Sequence, residues 1–454
     1  MNLELNSRQE KRHFYKLVAS LVLPMALQNL INVGVTSADV IMLGKVGETA
    51  LSASSLAGQV LFVMTLVFFG LTSGAAVLTA QYWGKKDIGA IERVLGFSMK
   101  IALIVSVLFM AAALAFPGPI MHIFTSEEKV VAEGISYLRI VAFSYVFIGI
   151  TVVYLNIMRS VERVIISTVV YSMSLVINIV LNGVFIFGLF GLPAMGIRGA
   201  ALATLIARIA EFVVVLIYSK KINRQVCFRM KYLFGTDQLL VKDFFVYALP
   251  VLVNELLWGL GISTVTAVIG HLGSTVVAAN SVAQVMRQLA LVVSFGVANA
   301  TAIMIGKVIG EGKPEYAKAY GGRFVRLSIC VGVAGAGVVL LISPLVRSFL
   351  TLTPQAKEYL RLMMFVMAYY IISQSFNTTM IVGVFRGGGD TRFGLLVDAA
   401  TLWCVAIPFG ALAAFVWKLP PIPVYMILTC DELLKIPMGI WRYRSYKWIQ
   451  NVTR

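Results

Sequence analysis

The chain has 454 residues, 59% of them hydrophobic and 13% charged, against about 25% charged in a soluble globular protein. Its formal net charge of +17 would suit nucleic acid, but the basic residues lie between apolar runs, so that class is excluded by their placement. The apolar runs are about 20 residues long, enough to cross a bilayer as helices, and too long and continuous for the roughly ten-residue alternating strands of a membrane barrel.

In chain order, the sequence predicts twelve helical spans: Leu17–Met42, Ala50–Ala80, Val94–Phe116, Val131–Ile157, Val164–Phe190, Gly199–Ser219, Phe244–Ile269, Thr275–Gly306, Leu327–Val346, Glu358–Val384, Phe393–Val416 and Pro423–Trp441. The basic start (Arg8, Lys11, Arg12, Lys16) leads into a run too long for a cleaved signal peptide. With the N-terminus inside, the tails and even-numbered loops hold 26 of the 38 Lys and Arg, the odd-numbered loops 6, and the spans 6. This asymmetry is the positive-inside pattern, and it places both termini in the cytoplasm. Cys227, Cys330, Cys404 and Cys430 are scattered, with neither disulfide nor metal spacing.

The chain repeats itself. Shifted by 226 residues, Leu23–Lys86 matches Leu249–Gly312 with 15 identities in 64 ungapped positions, Pro24 falling on Pro250 and Gly84 on Gly310. The longest basic connector separates the copies. The expected domains are therefore an N-lobe at 1–219, a cytoplasmic linker at 220–243 and a C-lobe at 244–454. Six spans return each copy to its starting side, so both have one orientation and their pseudo-twofold axis runs along the membrane normal.

Several motifs follow one another in order. Span one reads Pro24…Asp39-Val-Ile-Met-Leu-Gly44, span two ends Gln81-Tyr-Trp-Gly84, and span five carries Asn178-Ile-Val-Leu-Asn182. Span six begins Gly199-Ala-Ala-Leu-Ala-Thr204, and span ten leads into Arg386-Gly-Gly-Gly-Asp390. From end to end the chain resembles the multidrug and toxic compound extrusion (MATE) family. The resemblance implies an all-α membrane protein whose two six-helix lobes face each other across a central cavity. It implies export of organic cations or amphiphilic drugs across the cytoplasmic (inner) membrane of a bacterium, driven by H⁺ or Na⁺, with no cofactor, no nucleic acid, the lipid bilayer as surroundings and a monomer as working unit.

Ionisable groups at membrane depth are expensive and need a reason. Gln28, Asn32 and Asp39 fall within about 40° on a helical wheel and predict one inward polar stripe on span one. Asn178 and Asn182, four apart, share a face of span five. Such oxygens suit Na⁺, and the carboxylate could take a proton instead; the alternative is plain interhelical hydrogen bonding. The resemblance implies a cation site from Asp39, Asn178, Asn182 and, more weakly, Thr204, with Pro24 bending span one. In the second copy Glu255 and Asp398 are the coupling candidates; Glu255 either takes the family's role one turn from Trp258 or pairs with a basic group. Asn254, Trp258, Tyr369, Tyr370 and Asn377 join Gln28 and Asn32 as candidate cavity residues, with packing as the plainer reading of the aromatics. Asp431 or Glu432 with Lys435, and Arg208 with Glu211, are spaced for pairs on one helix. Arg139 and Arg287 have no partner legible in the sequence.

An intramembrane protease is the rival of another class, since Gly387-Gly-Gly-Asp390 fits a Gly-x-Gly-Asp pattern. Flanking Arg386 and Arg392 predict a surface loop instead, and the three histidines are isolated. A flippase for lipids or lipid-linked precursors is the nearer alternative. The acidic, amide-rich stripe favours cationic cargo.

Overall fold

The computed structural model describes residues 8–235, 238–349 and 353–453; Thr236 and Asp237 of the expected linker fall outside them. Among the described residues the regular elements are all helical. They are α1 (Arg8–Val46), α2 (Glu48–Lys85), α3 (Ile88–Ala115), α4 (Pro117–Phe124), α5 (Glu128–Val141), α6 (Ser144–Ser160), α7 (Ile165–Phe187), α8 (Ile197–Ile217) and α9 (Lys231–Phe234). The series continues with α10 (Gln238–Gly270), α11 (Ser274–Gly310), α12 (Pro314–Phe349), α13 (Pro354–Thr378), α14 (Thr391–Ala399), α15 (Ile407–Ala411), α16 (Pro421–Leu428) and α17 (Asp431–Arg444). Wider π-turns over Thr379–Phe385, Ala400–Ala406 and Leu412–Val416 carry the backbone on without a break.

Each predicted span has a helical counterpart, but three differ from a plain apolar rod. Among the described residues nine helices are long and apolar enough to cross a membrane, and α5 with α6, bent by 54°, makes a tenth. Span four is thus broken where the Ser144 hydroxyl donates to the Val141 carbonyl at 2.6 Å, a side chain entering the helical ladder at the bend. Span ten, α13, carries Arg361 and a polar run of Ser373, Gln374, Ser375 and Asn377. Span twelve is split at Thr429–Cys430 into α16 and α17, and α17 opens on Asp431, Glu432 and Lys435. Spans ten and twelve both supply polar groups to the second unit.

The helices form two compact units: 27–79 with 87–245, and 1–26 with 80–86 and 246–454. The division passes through α1 two residues beyond Pro24, which lies inside the helix and removes one backbone donor. The first of these units buries Met64, Phe68, Tyr145, Leu155 and Met158. Its basic connector is tied down: Glu92 accepts from the Cys227 amide at 3.0 Å and pairs with Arg229 at 2.9 Å. Helix α7 ends at Gly188, whose φ of 72° is the left-handed conformation that suits glycine. The second unit centres on Leu291, Leu360, Met363, Met364, Met367, Ile371 and Tyr425. The methionines of α13 are therefore core.

In the second unit the end of α2 packs on the end of α11 and on the chain terminus. The Gln81 side chain donates to the Gln450 and Gly387 carbonyls at 3.0 and 3.4 Å and accepts from the Val452 amide at 2.8 Å. The Gln450 amide donates to the Gly388 carbonyl at 2.8 Å, and Trp448 is fully buried, stacked on Tyr443. The repeat-related Gly84 and Gly310 let this crossing close: a Cβ on Gly84 would lie 1.9 Å from the Lys307 carbonyl oxygen, and one on Gly310 1.9 Å from that of Gln81. Neither obstacle is a flexible side chain. Gly84→Leu should cost at least the ~1–3 kcal/mol typical of overpacking. The expected result is a lower melting temperature and reduced monodisperse yield in detergent; unchanged values would show that the crossing yields easily.

Candidate functional site

In the first unit α1 and α7 bring three predicted residues together. Asn182 Nδ2 donates to Asp39 Oδ1 at 2.5 Å and to Asn178 Oδ1 at 3.1 Å. The i, i+4 spacing aligns the two asparagines along one face of α7, and both are buried. The Asn182 amide hydrogens are thereby used, while its Oδ1 is buried with no hydrogen-bond partner. An unsatisfied buried carbonyl is uncommon and needs an explanation. Together with the Asp39 and Asn178 oxygens it makes a set of hard donors with no cation of the protein within hydrogen-bond distance of Asp39 among the described contacts. Arg208 acts on Asp39 only through its field, because its guanidinium is held by Glu211 at 2.6 Å. Thr204 is half-buried and hydrogen-bonds Tyr137, which also lies in the field of Asp39.

The predicted stripe on α1 is corrected in part. Gln28 is buried, with an unpartnered Oε1, Asp39 is half-buried and Asn32 is exposed. A shared helical face sets direction but not depth, and neighbouring helices cover α1 at Gln28 and leave it open at Asn32.

The second unit holds a different arrangement. Glu255 pairs with Arg386 at 2.7 Å, which meets the reading of Glu255 as the partner of a basic group. Arg386 is therefore buried, not a surface flank of the glycine-rich turn, whereas Arg392 is exposed. Asp390 is buried as well and accepts from Arg442 Nε at 2.6 Å. Immediately before Glu255 lies Asn254, whose Nδ2 donates to Asp398 Oδ2 at 2.9 Å and whose Oδ1 has no partner.

Asp398 also meets Lys435 at 3.1 Å, and Lys435 reaches Asp431 at 3.0 Å and Glu432 at 2.9 Å. The pairing expected within one helix is thus the base of a wider cluster between α14 and α17. Asn377 joins it, donating to the Glu432 carbonyl at 2.6 Å and to its Oε2 at 2.7 Å.

The aromatic candidates are largely engaged inside this unit. Tyr370 is buried, accepts from Arg287 Nη1 at 3.2 Å and stacks under that guanidinium. This supplies the partner of Arg287 that the sequence left open. Tyr369 is half-buried and shares a hydrogen bond of 3.2 Å with Thr429. Trp258 is half-buried and Arg139 exposed. Sequence reasoning missed Lys435 as a hub and Arg386 as the partner of Glu255. The only signal was the i+3 and i+4 spacing around Lys435, because the contacts to Asp398 and Glu255 are separated by long stretches of chain.

The MatE family profile matches residues 24–184 and again residues 250–412, the two starts being the repeat-related prolines. The chain belongs to the MatE family. It is a membrane transporter and not an enzyme. The chain is 26% identical over 434 residues to the "Probable multidrug resistance protein NorM" of Bradyrhizobium diazoefficiens, with 93% of this chain and 92% of that protein aligned. Two solved structures show the fold. A MOP superfamily transporter from Pyrococcus furiosus, whose binding pocket is described as of reverse polarity, matches with TM-score 0.86 at 19% identity, over 95% of this chain and 96% of its own. A Vibrio cholerae MATE transporter in a bent form matches with TM-score 0.85 at 18% identity, over 96% and 97%.

Removing one partner of a buried ion pair strands the other charge, at about 3–5 kcal/mol. Glu255→Ala should therefore lower the melting temperature strongly. Glu255→Ala combined with Arg386→Met should recover most of the loss, and a double-mutant cycle by thermal denaturation in detergent checks it.

Proposed function

We propose that this MatE protein is a multidrug efflux antiporter that exports organic cations or amphiphilic drugs in exchange for an inward cation. The observation that carries the reading is the Asp39–Asn182–Asn178 constellation with its unpartnered Asn182 Oδ1. A carboxylate on the first span, half-buried and touched by no basic group in the described contacts, is an expensive arrangement unless a cation visits it. The multidrug resistance name of the Bradyrhizobium relative supports the cargo class.

Either coupling ion finds its chemistry here. Na⁺ takes oxygen ligands, and Asp39 with the two amide carbonyl oxygens would supply three of them. A proton instead turns Asp39 into an O–H donor, for which the Asn182 Oδ1 is an acceptor in reach after a rotation of the amide. Both events weaken the Asn182–Asp39 hydrogen bond, since the Nδ2 donor gains little from a neutralised carboxyl. The change is felt on α1, which Pro24 makes easier to bend by removing a backbone hydrogen bond. Exchange then requires that ion and drug prefer different states of the transporter, open to opposite sides of the membrane.

Drug accumulation in cells lacking their own exporters tests the assignment. Asp39→Asn should raise ethidium accumulation to the level of cells without the transporter. It should leave drug binding to the purified protein within about threefold. Export by Asp39→Asn equal to that of the natural chain would remove Asp39 from coupling. Efflux from proteoliposomes with Na⁺ and pH gradients imposed separately identifies the ion: the driving gradient should accelerate efflux at least fivefold, and the other should not.

A further inference from the structure

The coupling reading makes no use of the cluster around Lys435. Its ammonium has three N–H donors and three carboxylate oxygens at 2.9–3.1 Å, from Glu432, Asp431 and Asp398, so each donor has an anionic acceptor. The side chain is 3% exposed. From α13, Tyr370 lies in the field of the ammonium and Asn377 holds Glu432. From α10, Asn254 donates to Asp398, and Glu255 lies in the field of Asp398 while paired with Arg386.

The charges do not cancel. Four carboxylates (Glu255, Asp398, Asp431, Glu432) face two cations (Arg386, Lys435), which is more negative charge than a structural ion-pair network needs. Asn254 is independent evidence that the place suits a cation. It is 4% exposed, its amide head lies against Asp398, and its Oδ1 has no donor. Among the described residues no group of three or more His, Cys, Asp or Glu side chains is placed to hold a metal ion. Where three carboxylates do converge, Lys435 stands between them.

The first unit offers the contrast. Arg208 lies on α8, the sixth span of its half, and Lys435 on the sixth of the other; a shift of 226 residues puts Lys435 one position past Arg208. Arg208 is turned to Glu211, and among the described contacts no cationic side chain touches Asp39 directly. Lys435 instead reaches across to Asp398.

We propose that Lys435 is a tethered cation that occupies the carboxylate cage of the second unit and closes it to alkali ions, confining the exchangeable ion to the Asp39 site. The inference rests on the Asp39 reading for its second clause only. An ammonium on a side chain cannot leave, so the cage keeps the same cation throughout the cycle and carries no ion across. Ion choice is then set in one half of the chain by a side chain of the other kind: Lys435 refuses Na⁺ where Asp39 accepts a mobile cation.

The test uses the full chain purified in detergent, with equilibrium binding of radioactive Na⁺ and thermal stabilisation by NaCl against choline chloride at constant ionic strength. Asp39→Asn alone should bind no Na⁺. Asp39→Asn with Lys435→Met should bind one Na⁺ per chain and should gain several degrees of melting temperature from it. Adding Asp398→Asn should abolish both effects. A folded Asp39→Asn, Lys435→Met protein that binds no Na⁺ overturns the proposal, as does Na⁺ binding by Asp39→Asn alone that Asp398→Asn removes. Should Lys435→Met fail to fold, Lys435→Met with Glu432→Gln carries one negative charge fewer and takes the same titration: Na⁺ binding that Asp398→Asn removes supports the cage, and its absence overturns it. If Asp39→Asn still exports drug, the coupling reading fails, while Na⁺ binding in these variants continues to report on the cage.

Discussion

A carboxylate inside an apolar helix bundle needs a partner, and the way each one here finds it organises the rest of the molecule. Burial of an ion with no counter-charge costs several kcal/mol. Glu255 finds Arg386, Glu211 finds Arg208, Asp390 finds Arg442, and Asp398, Asp431 and Glu432 share Lys435. Among the described contacts, the direct partner of Asp39 is an amide. In the second unit, several of the groups that meet these acids come from elements that depart from plain apolar rods: the split α16–α17, and the tenth and eleventh spans with their π-turns. Local irregularity here accompanies electrostatic demand.

The duplication sharpens this picture. The two halves share prolines, the glycines of the helix crossings and the number of spans, which are backbone requirements. They do not share the acids. Asp39 corresponds to Val265, and Glu255 to Asn29. A duplicated backbone is retained because any departure disturbs packing along whole helices, whereas a single polar group can move once its local cost is met elsewhere. The outcome is one carboxylate answered by an amide and one cluster answered by a lysine and an arginine.

Much of this was legible in the chain itself. Long apolar runs and the internal repeat give helical spans and copy number, because each rests on a local or periodic signal. The Asn178–Asn182 pair was legible for the same reason, since i+4 spacing sets a common face. Depth was not: Gln28 and Asn32 lie on the same side of α1, yet one is covered and the other open. Partners far apart in sequence were not legible either. Nothing local to Arg386 points to Glu255, 131 residues away, and nothing local to Arg287 points to Tyr370. The bend at Ser144 was missed because no glycine or proline marks it.

The Gln81 clasp has a consequence for how the chain is made. Its three partners come from Gly387, Gln450 and Val452, so a side chain at the end of the second span waits for residues as far as 371 positions downstream to be made. Until then its amide must be hydrated or held by lipid headgroups and translocation machinery, and the glycine-rich turn at 387–389 lacks the tail that lies against it. Insertion of the early spans and completion of the second unit are therefore separate events in biosynthesis. Residues 450–452, which follow the twelfth span, carry contacts that the second unit needs to be complete.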